Sequence, residues 1–510
     1  MDSEMQDKMG SFQDGSDSYH QKAISQLKDP KLFIRDAFIC GQWVSKDKKF
    51  DVYEPATATV LGQVADCELD DFQKAIQSAY DEQPKFYDNT TGASRGAMLK
   101  KWYELIMENA EDIATIMSLE NGKTFAEAKG EVAYAASFIS WFAEEATRSY
   151  GVTIPSSTPD TMLMTVREPV GVCGIITPWN FPAAMITRKV GPALAAGCTV
   201  VIKPPSETPF TCLALTRLAV EAGLPPAAIQ VCPTKDRKAA TELATNPLIK
   251  KISFTGSTGV GKMLANLCTG TLKKVSLELG GNAPFIVFDD ADVDLAVEGA
   301  MFCKFRCSGQ TCVCANRIYV QKGIAKTFIK KLVEKVTALK TGPGLNDTTT
   351  QGPLVNRAAV DKVQEHVRDA VSKNAKIEVG GKPSDLPGFY YEPTVISGVT
   401  PDMIVSREET FGPLAPVFEF ETEQEAIALA NDSEFGLAGY FFSRDVSRIM
   451  RVANKMQVGM VGANTGKISA AEAPFGGVKE SGYGKEGSLY GLAEYQNIKS
   501  ITIGNIQHGA

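Results

Sequence analysis

KKISFTGSTGVGKM, residues 250–263, is an apolar strand run that ends in a glycine turn and opens straight into a helical pattern. A strand that feeds a helix in this way is half of a βα unit, and such units build parallel sheets covered by helices. The same pattern recurs upstream. VGVCGII (170–176), CTVVIK (198–203) and IQVC (229–232) are short apolar runs separated by helix-length segments. Before them, AMLKKWYELIMENAEDIATIMSLE (97–120) carries apolar residues at helical spacing. A second alternating block begins at APFIVF (283–288) and runs to about residue 461, interrupted by the Gly-, Pro- and Thr-rich loop of 334–354. The final KSITIGN (499–505) reads as a strand that pairs with another element or another subunit.

Composition narrows the function classes. The 510 residues carry 53 basic and 60 acidic side chains, a net charge of −7, which argues against a nucleic-acid-binding surface. Apolar residues at 44% and charged residues at 22% suit a soluble globular chain of roughly three domains. The longest apolar run, 190–202, is too short and too glycine-broken to span a bilayer. Residues 1–30 are polar, with more acids than bases and no arginine, so a flexible tail on a cytoplasmic protein is expected rather than a leader. Eleven irregularly spaced cysteines do not make a disulfide framework. Cys173, Cys198, Cys212 and Cys232 lie in apolar stretches and read as small buried hydrophobes. The three histidines, His20, His366 and His508, stand away from every glycine- or cysteine-rich motif, which disfavours a Ser-His or Cys-His pair. No metal site is expected: Cys312 and Cys314 form C-x-C, with no second pair or histidine at ligand spacing.

Three stretches can carry chemistry. At 254–263 the glycines expose backbone N–H groups to a phosphate at a helix start. The stretch departs from a P-loop at Met263, where a magnesium-binding Ser or Thr belongs, and its glycines run G-x-x-G-x-G instead of G-x-G-x-x-G. A structural turn, a dinucleotide site and an NTPase all remain open on that motif alone. VSLELGGNAPFIVF (275–288) sets Glu278 among apolar residues before a Gly-Gly turn. It reads either as a desolvated carboxylate of general-base character or as a strand end facing solvent. FRCSGQTCVCANR (305–317) offers two thiols, and a thiol is a strong nucleophile even when mostly protonated.

Taken together, TPWNFP (177–182), VIKP (201–204), LELGG (277–281), GQTC (309–312), EETFGPL (408–414) and PFGGVKESGYG (474–484) resemble the aldehyde dehydrogenase superfamily, in order and from about residue 35 onward. The resemblance implies an α/β fold. Its parts are a Rossmann-like cofactor domain (31–149 and 170–280), an α/β catalytic domain (281–463), and small β oligomerisation elements (150–169 and 464–510) that join subunits as homodimers or homotetramers. It implies Cys312 as the nucleophile that forms a thiohemiacetal with the aldehyde. Asn180, with the Cys312 N–H, would form the oxyanion hole. Hydride loss to a nicotinamide would leave a thioester, and Glu278 would activate the water that releases the acid. NADP or NAD would be held by Ile176, Thr177, Pro178, Trp179, Lys203, Gly256, Ser257, Gly261, Glu409 and Phe411. In KPPSETP (203–209), Ser206 stands where many NAD-preferring members place glutamate, which opens the pocket to a 2′-phosphate that Lys203 can pair with.

The substrate expectation rests on a closer likeness. The text around Arg188 and Arg306 resembles succinic semialdehyde dehydrogenases, in which the matching arginines, with the serine matching Ser469, bind the substrate carboxylate. A short ω-oxo acid is expected, succinic semialdehyde first and glutaric semialdehyde second. The alternative from another class is a catalytically silent dinucleotide-binding relative. Cys314 is expected either to pack or to form a reversible disulfide with Cys312.

Overall fold

Five parallel strands stand at the centre of an eight-stranded sheet in the computed structural model, which describes residues 13–506. In spatial order they are Ile229–Val231, Thr199–Lys203, Val172–Ile176, Ile249–Thr255 and Lys274–Glu278. Their side chains are buried on both faces, so the strands read as apolar runs without alternation. Antiparallel pieces finish the edges: Ala37–Ile39 with Gln42–Val44 on one side, Gly482–Tyr483 on the other. The register pairs Ile176 with Lys203, Phe254 with Ile176, and Thr255 with Glu278. These carboxyl ends therefore form one rim, where open α/β sheets bind ligands.

A second, seven-stranded sheet runs Lys376–Val379, Thr394–Ser397, Leu414–Phe420, Ala315–Gln321, Ala283–Val287, Ala438–Phe442, Met460–Ala463. It is parallel except for the first pair. Ala283–Val287 follows Lys274–Glu278 after four residues, so Gly280 and Gly281 join the two sheets beside the rim. A small third sheet pairs Gln496–Ile503 with Met162–Pro169 over eight residues, with Thr153–Ile154 outermost. No helix among the described residues is long and apolar enough to cross a membrane.

Three expectations change. Residues 1–12 lie outside the described residues, but the remainder of the expected tail is structured. A helix spans Gln13–Ser25, Leu27 is buried, and Asp112 accepts from the N–H groups of Lys28 (3.0 Å) and Asp29 (2.8 Å). Part of 464–510, Gly482–Tyr483, closes the first sheet, a role beyond the oligomerisation one that the resemblance implied. The helical pattern of 97–120 divides at Asn109 into Gly92–Glu108 and Ala110–Asn121, where the Asn109 side chain bonds the Leu105 carbonyl at 2.8 Å. The four cysteines in apolar stretches are fully buried.

Candidate active site

After the helix Val293–Phe305 the chain turns through three consecutive left-handed residues, Cys307 (φ 50), Ser308 (φ 55) and Gly309 (φ 73). Only the last is conformationally cheap there. Hydrogen bonds hold the other two. Glu127 accepts from the Cys307 N–H at 2.6 Å, and Ser308 Oγ donates to the Gly352 carbonyl at 2.7 Å. The Gln310 amide spans Cys307, Pro353 and Val355. Gly309 is also forced sterically, because a Cβ would lie 2.1 Å from the Gly412 carbonyl oxygen. This turn delivers Cys312 half-buried. Desolvation pushes its thiol up to about 12, with the nearby Arg188 charge opposing. Cys314 is buried, and its Sγ donates to the Gly309 carbonyl at 3.2 Å.

Asn180 lies on the loop between Val172–Ile176 and the helix Ala184–Ala196. Its Nδ2 donates to the Gln310 carbonyl at 3.0 Å, two residues before Cys312, and an amide nitrogen has a second hydrogen to give. The loop is fastened from beneath. Asn121 donates to the Trp179 carbonyl (3.0 Å) and Lys123 to the Asn180 carbonyl (2.8 Å). Lys123 is ion-paired with buried Glu131, whose Oε1 accepts from the Ala183 N–H at 2.9 Å and so caps the helix start.

Glu278, the last residue of its strand, is buried, and its Oε2 has no partner. Desolvation and then the Glu486 charge push its carboxyl well above the usual range, against Arg188, Lys189 and Lys485. Gly476 permits the close fit, since a Cβ there would stand 2.8 Å from Glu278 Oε1. Arg188 is buried in the same charge cluster. Its Nε is ion-paired with Glu486, which also pairs with Lys189, and its guanidinium stacks 3.9 Å from the Phe475 ring centroid. Its Nη2 has no partner.

Arg306 and Ser469 do come together. They line a cavity of about 130 Å³ with Phe302, Cys303, Thr311 and Tyr440. Arg306 packs against the rings of Phe302 (4.8 Å) and Phe181 (5.3 Å) and has no carboxylate partner among the described residues. Buried Thr311, next to Cys312, keeps its Oγ1 unpartnered in the same cavity. The half-buried Tyr134 stands close to Ser469 and feels both Arg188 and Arg306.

A larger cavity of about 700 Å³ lies along the rim and holds Ile176, Thr177, Pro178, Trp179, Lys203, Ser206, Gly256 and Ser257. Gly261 sits one turn inside the adjoining helix Thr258–Cys268, packed so closely that a Cβ would meet Leu279 at 2.3 Å. That helix has no side-chain cap at Ser257, and Thr177 and Thr255 turn unpartnered hydroxyls to the cavity. Uncapped helix N–H groups and orphan hydroxyls suit a phosphate-bearing ligand. Lys203, lowered by desolvation against the opposing Glu207, lines it with Lys235 and Arg237. Ser206 donates to Glu207 at 3.1 Å, so the displaced carboxylate still lines the cavity. Across the Gly280–Gly281 junction, Glu409 accepts from the Gly281 N–H at 3.3 Å, and burial pushes its carboxyl up to about 8. Phe411, at φ 52, meets Trp179 edge-on with centroids 5.5 Å apart.

Lys123, Glu131, Tyr134 and Glu486 escaped the motif reading. Glu131, Tyr134 and Phe138 share one face of the helix Phe125–Glu145, and a glutamate in line with two aromatic rings was the available signal. His366 stands behind the Glu409 segment, bonded to Thr410 at 3.1 Å, and burial lowers it to about 4.

Residues 43–501 match the "Aldehyde dehydrogenase family". The chain is 53% identical over 498 residues to the NADP(+) succinate-semialdehyde dehydrogenase 1 of Schizosaccharomyces pombe, covering 96% of this chain and 100% of that one. It is 52% identical over 483 residues to the glutarate-semialdehyde dehydrogenase of Pseudomonas aeruginosa, covering 94% and 100%. The crystal structure of an E. coli NADP-dependent enzyme superposes with a TM-score of 0.93 at 51% identity, over 94% of this chain and 100% of the other.

Proposed function

The chain belongs to the aldehyde dehydrogenase family, and from that footing we propose that it oxidises a short aldehyde bearing a distal carboxylate to the dicarboxylic acid. Succinic semialdehyde is the first candidate and glutaric semialdehyde the second, with NADP or NAD as acceptor. The observation that carries the reading is the unpaired Arg306 guanidinium sharing a small cavity with Ser469, next to Thr311 and thus to Cys312. A carboxylate gripped there, by Arg306, Ser469 and the free Nη2 of Arg188, leaves the aldehyde end of a short chain for the Cys312 sulfur.

Cys312 supplies the sulfur that bonds to the carbonyl carbon. The second Nδ2 hydrogen of Asn180 and the Cys312 backbone N–H stabilise the developing oxyanion. The bound nicotinamide dinucleotide supplies the two-electron acceptor. Glu278, held by desolvation in a range where it can take a proton, draws one from water and so frees the acyl group from sulfur as the acid. Lys203, Ser206, Gly256, Ser257 and the edge-on Trp179–Phe411 pair fit the dinucleotide's polar and apolar parts. With Lys235 and Arg237 offsetting Glu207, the proposal includes acceptance of NADP. Steady-state kcat/KM for both cofactors checks it, and a strong preference for NAD rejects it.

The substrate assignment is tested by Arg306→Ala. Losing a charge-assisted carboxylate contact should raise KM for succinic semialdehyde about 10- to 100-fold. An uncharged aldehyde of similar size should change little, and equal effects on both would refute the assignment. The same proposal assigns Cys314 a reversible disulfide with Cys312 under oxidation. Peroxide inactivation that dithiothreitol reverses in the wild type, and that is not reversed in Cys314→Ala, is the expected outcome; equal recovery leaves Cys314 a packing residue.

A further inference from the structure

Beside Arg306 the small cavity carries a second cation that the reaction above does not use. Lys467 lines it, exposed at the surface, with its Nζ 5.6 Å from the centroid of the same Phe302 ring that Arg306 approaches at 4.8 Å. Neither cation has an ion-pair partner among the described residues. Two positive groups that share one aromatic ring repel each other, and an anion between them relieves that repulsion.

The backbone under Lys467 is fixed. Asn464 accepts from the Ser443 N–H at 3.0 Å and donates to the Ser443 carbonyl at 2.9 Å. Thr465 Oγ1 accepts from the Lys467 N–H at 3.1 Å, and the Gly466 carbonyl accepts from Cys303 Sγ at 3.5 Å. Ser469 follows two positions later in a chain without helix or turn, so both side chains face the cavity they line. The half-buried Arg306 is the inner cation and the exposed Lys467 the outer one.

We propose that Lys467 is a specificity-determining residue, the outer anchor for ω-oxo acids whose carboxylate lies one methylene farther from the aldehyde than Arg306 accommodates. The inference rests on the substrate class proposed above. It adds that glutaric semialdehyde is accepted through Lys467, while succinic semialdehyde is held without it.

The test compares kcat/KM for glutaric semialdehyde, succinic semialdehyde and propanal in the wild type, Lys467→Met, Lys467→Arg and Arg306→Ala. Lys467 is exposed, so the methionine removes its charge without touching the core. Lys467→Met should lower kcat/KM for glutaric semialdehyde about tenfold and leave the other two substrates within about twofold, with arginine restoring most of the loss. Equal losses on both acids, or none on glutaric semialdehyde, would overturn the inference. If Arg306→Ala lowers propanal as much as the acids, the substrate class itself is wrong, whatever Lys467 does.

Discussion

Cys312 and Glu278 share one influence, loss of water, and it moves both groups towards their protonated forms. With the Cys312 thiol near 12, its thiolate fraction at neutral pH is tiny. Alkylation of the cofactor-free protein by iodoacetamide should therefore be slow at pH 7 and accelerate about tenfold per pH unit into the alkaline range. Arg188→Met, which removes the charge opposing that shift, should slow it further. A rate already level at pH 8 would reject the assignment. In its proposed role as base Glu278 must lose its proton, so turnover should rise with pH through a titration above the ordinary carboxylate range. Stability runs the other way. The folded state keeps the Glu278 proton at a pH where the unfolded chain has released it, so this residue's contribution falls as pH rises from its unfolded pKa to its folded one. Glu278→Gln should flatten both dependences, read from pH profiles of turnover and of Tm. The motif residues were legible in the sequence because each sits in a short contiguous run. The Arg188–Lys189–Glu486 cluster was not, since Glu486 lies 297 positions from Lys189 and only the fold brings them together.

Among the elements, the buried Lys123–Glu131 pair does two tasks, holding the Asn180 loop and capping the helix Ala184–Ala196. Removing one partner strands the other charge in the interior. Glu131→Gln should cost about 3–5 kcal/mol of stability, and kcat should fall as the Asn180 amide loosens. Thermal denaturation with steady-state kinetics measures both, and an unchanged Tm would contradict the stated role. The left-handed turn before Cys312 is equally exacting. Gly309→Ala adds a Cβ against the Gly412 carbonyl and a φ of 73 that alanine resists, at about 1–2 kcal/mol for the dihedral alone. Titration of reactive Cys312 should show the nucleophile misplaced even where the protein stays folded. The central strands were legible at this scale because an apolar run between helical patterns has few alternative readings. The edge pieces Gln42–Val44 and Gly482–Tyr483 were not, since two- and three-residue strands have no period to detect.

For the molecule as a whole, the third sheet stands out by what it leaves uncovered. Ile498 (65% exposed) and Ile154 stand bare on one face, and Met162 and Ile503 on the other, apolar side chains of the kind a second copy of the chain would bury. Were the sheet an interface between copies, Ile498→Asp should shift the protein to a smaller species in analytical ultracentrifugation, and unchanged mass would reject that role. The strand pairings also carry a consequence for how the protein is made. Lys274–Glu278 keeps an open edge until Gly482–Tyr483 covers it, and Met162–Pro169 stays half-paired until Gln496–Ile503 arrives. On a ribosome, which releases the chain from its N-terminus, both edges stand bare for most of synthesis. A polypeptide stopped short of residue 482 would thus expose a strand edge open to aggregation beside a proposed nucleophile whose proposed base is not yet framed. The surroundings of Glu278 are complete only when residues 476–483 close over its strand.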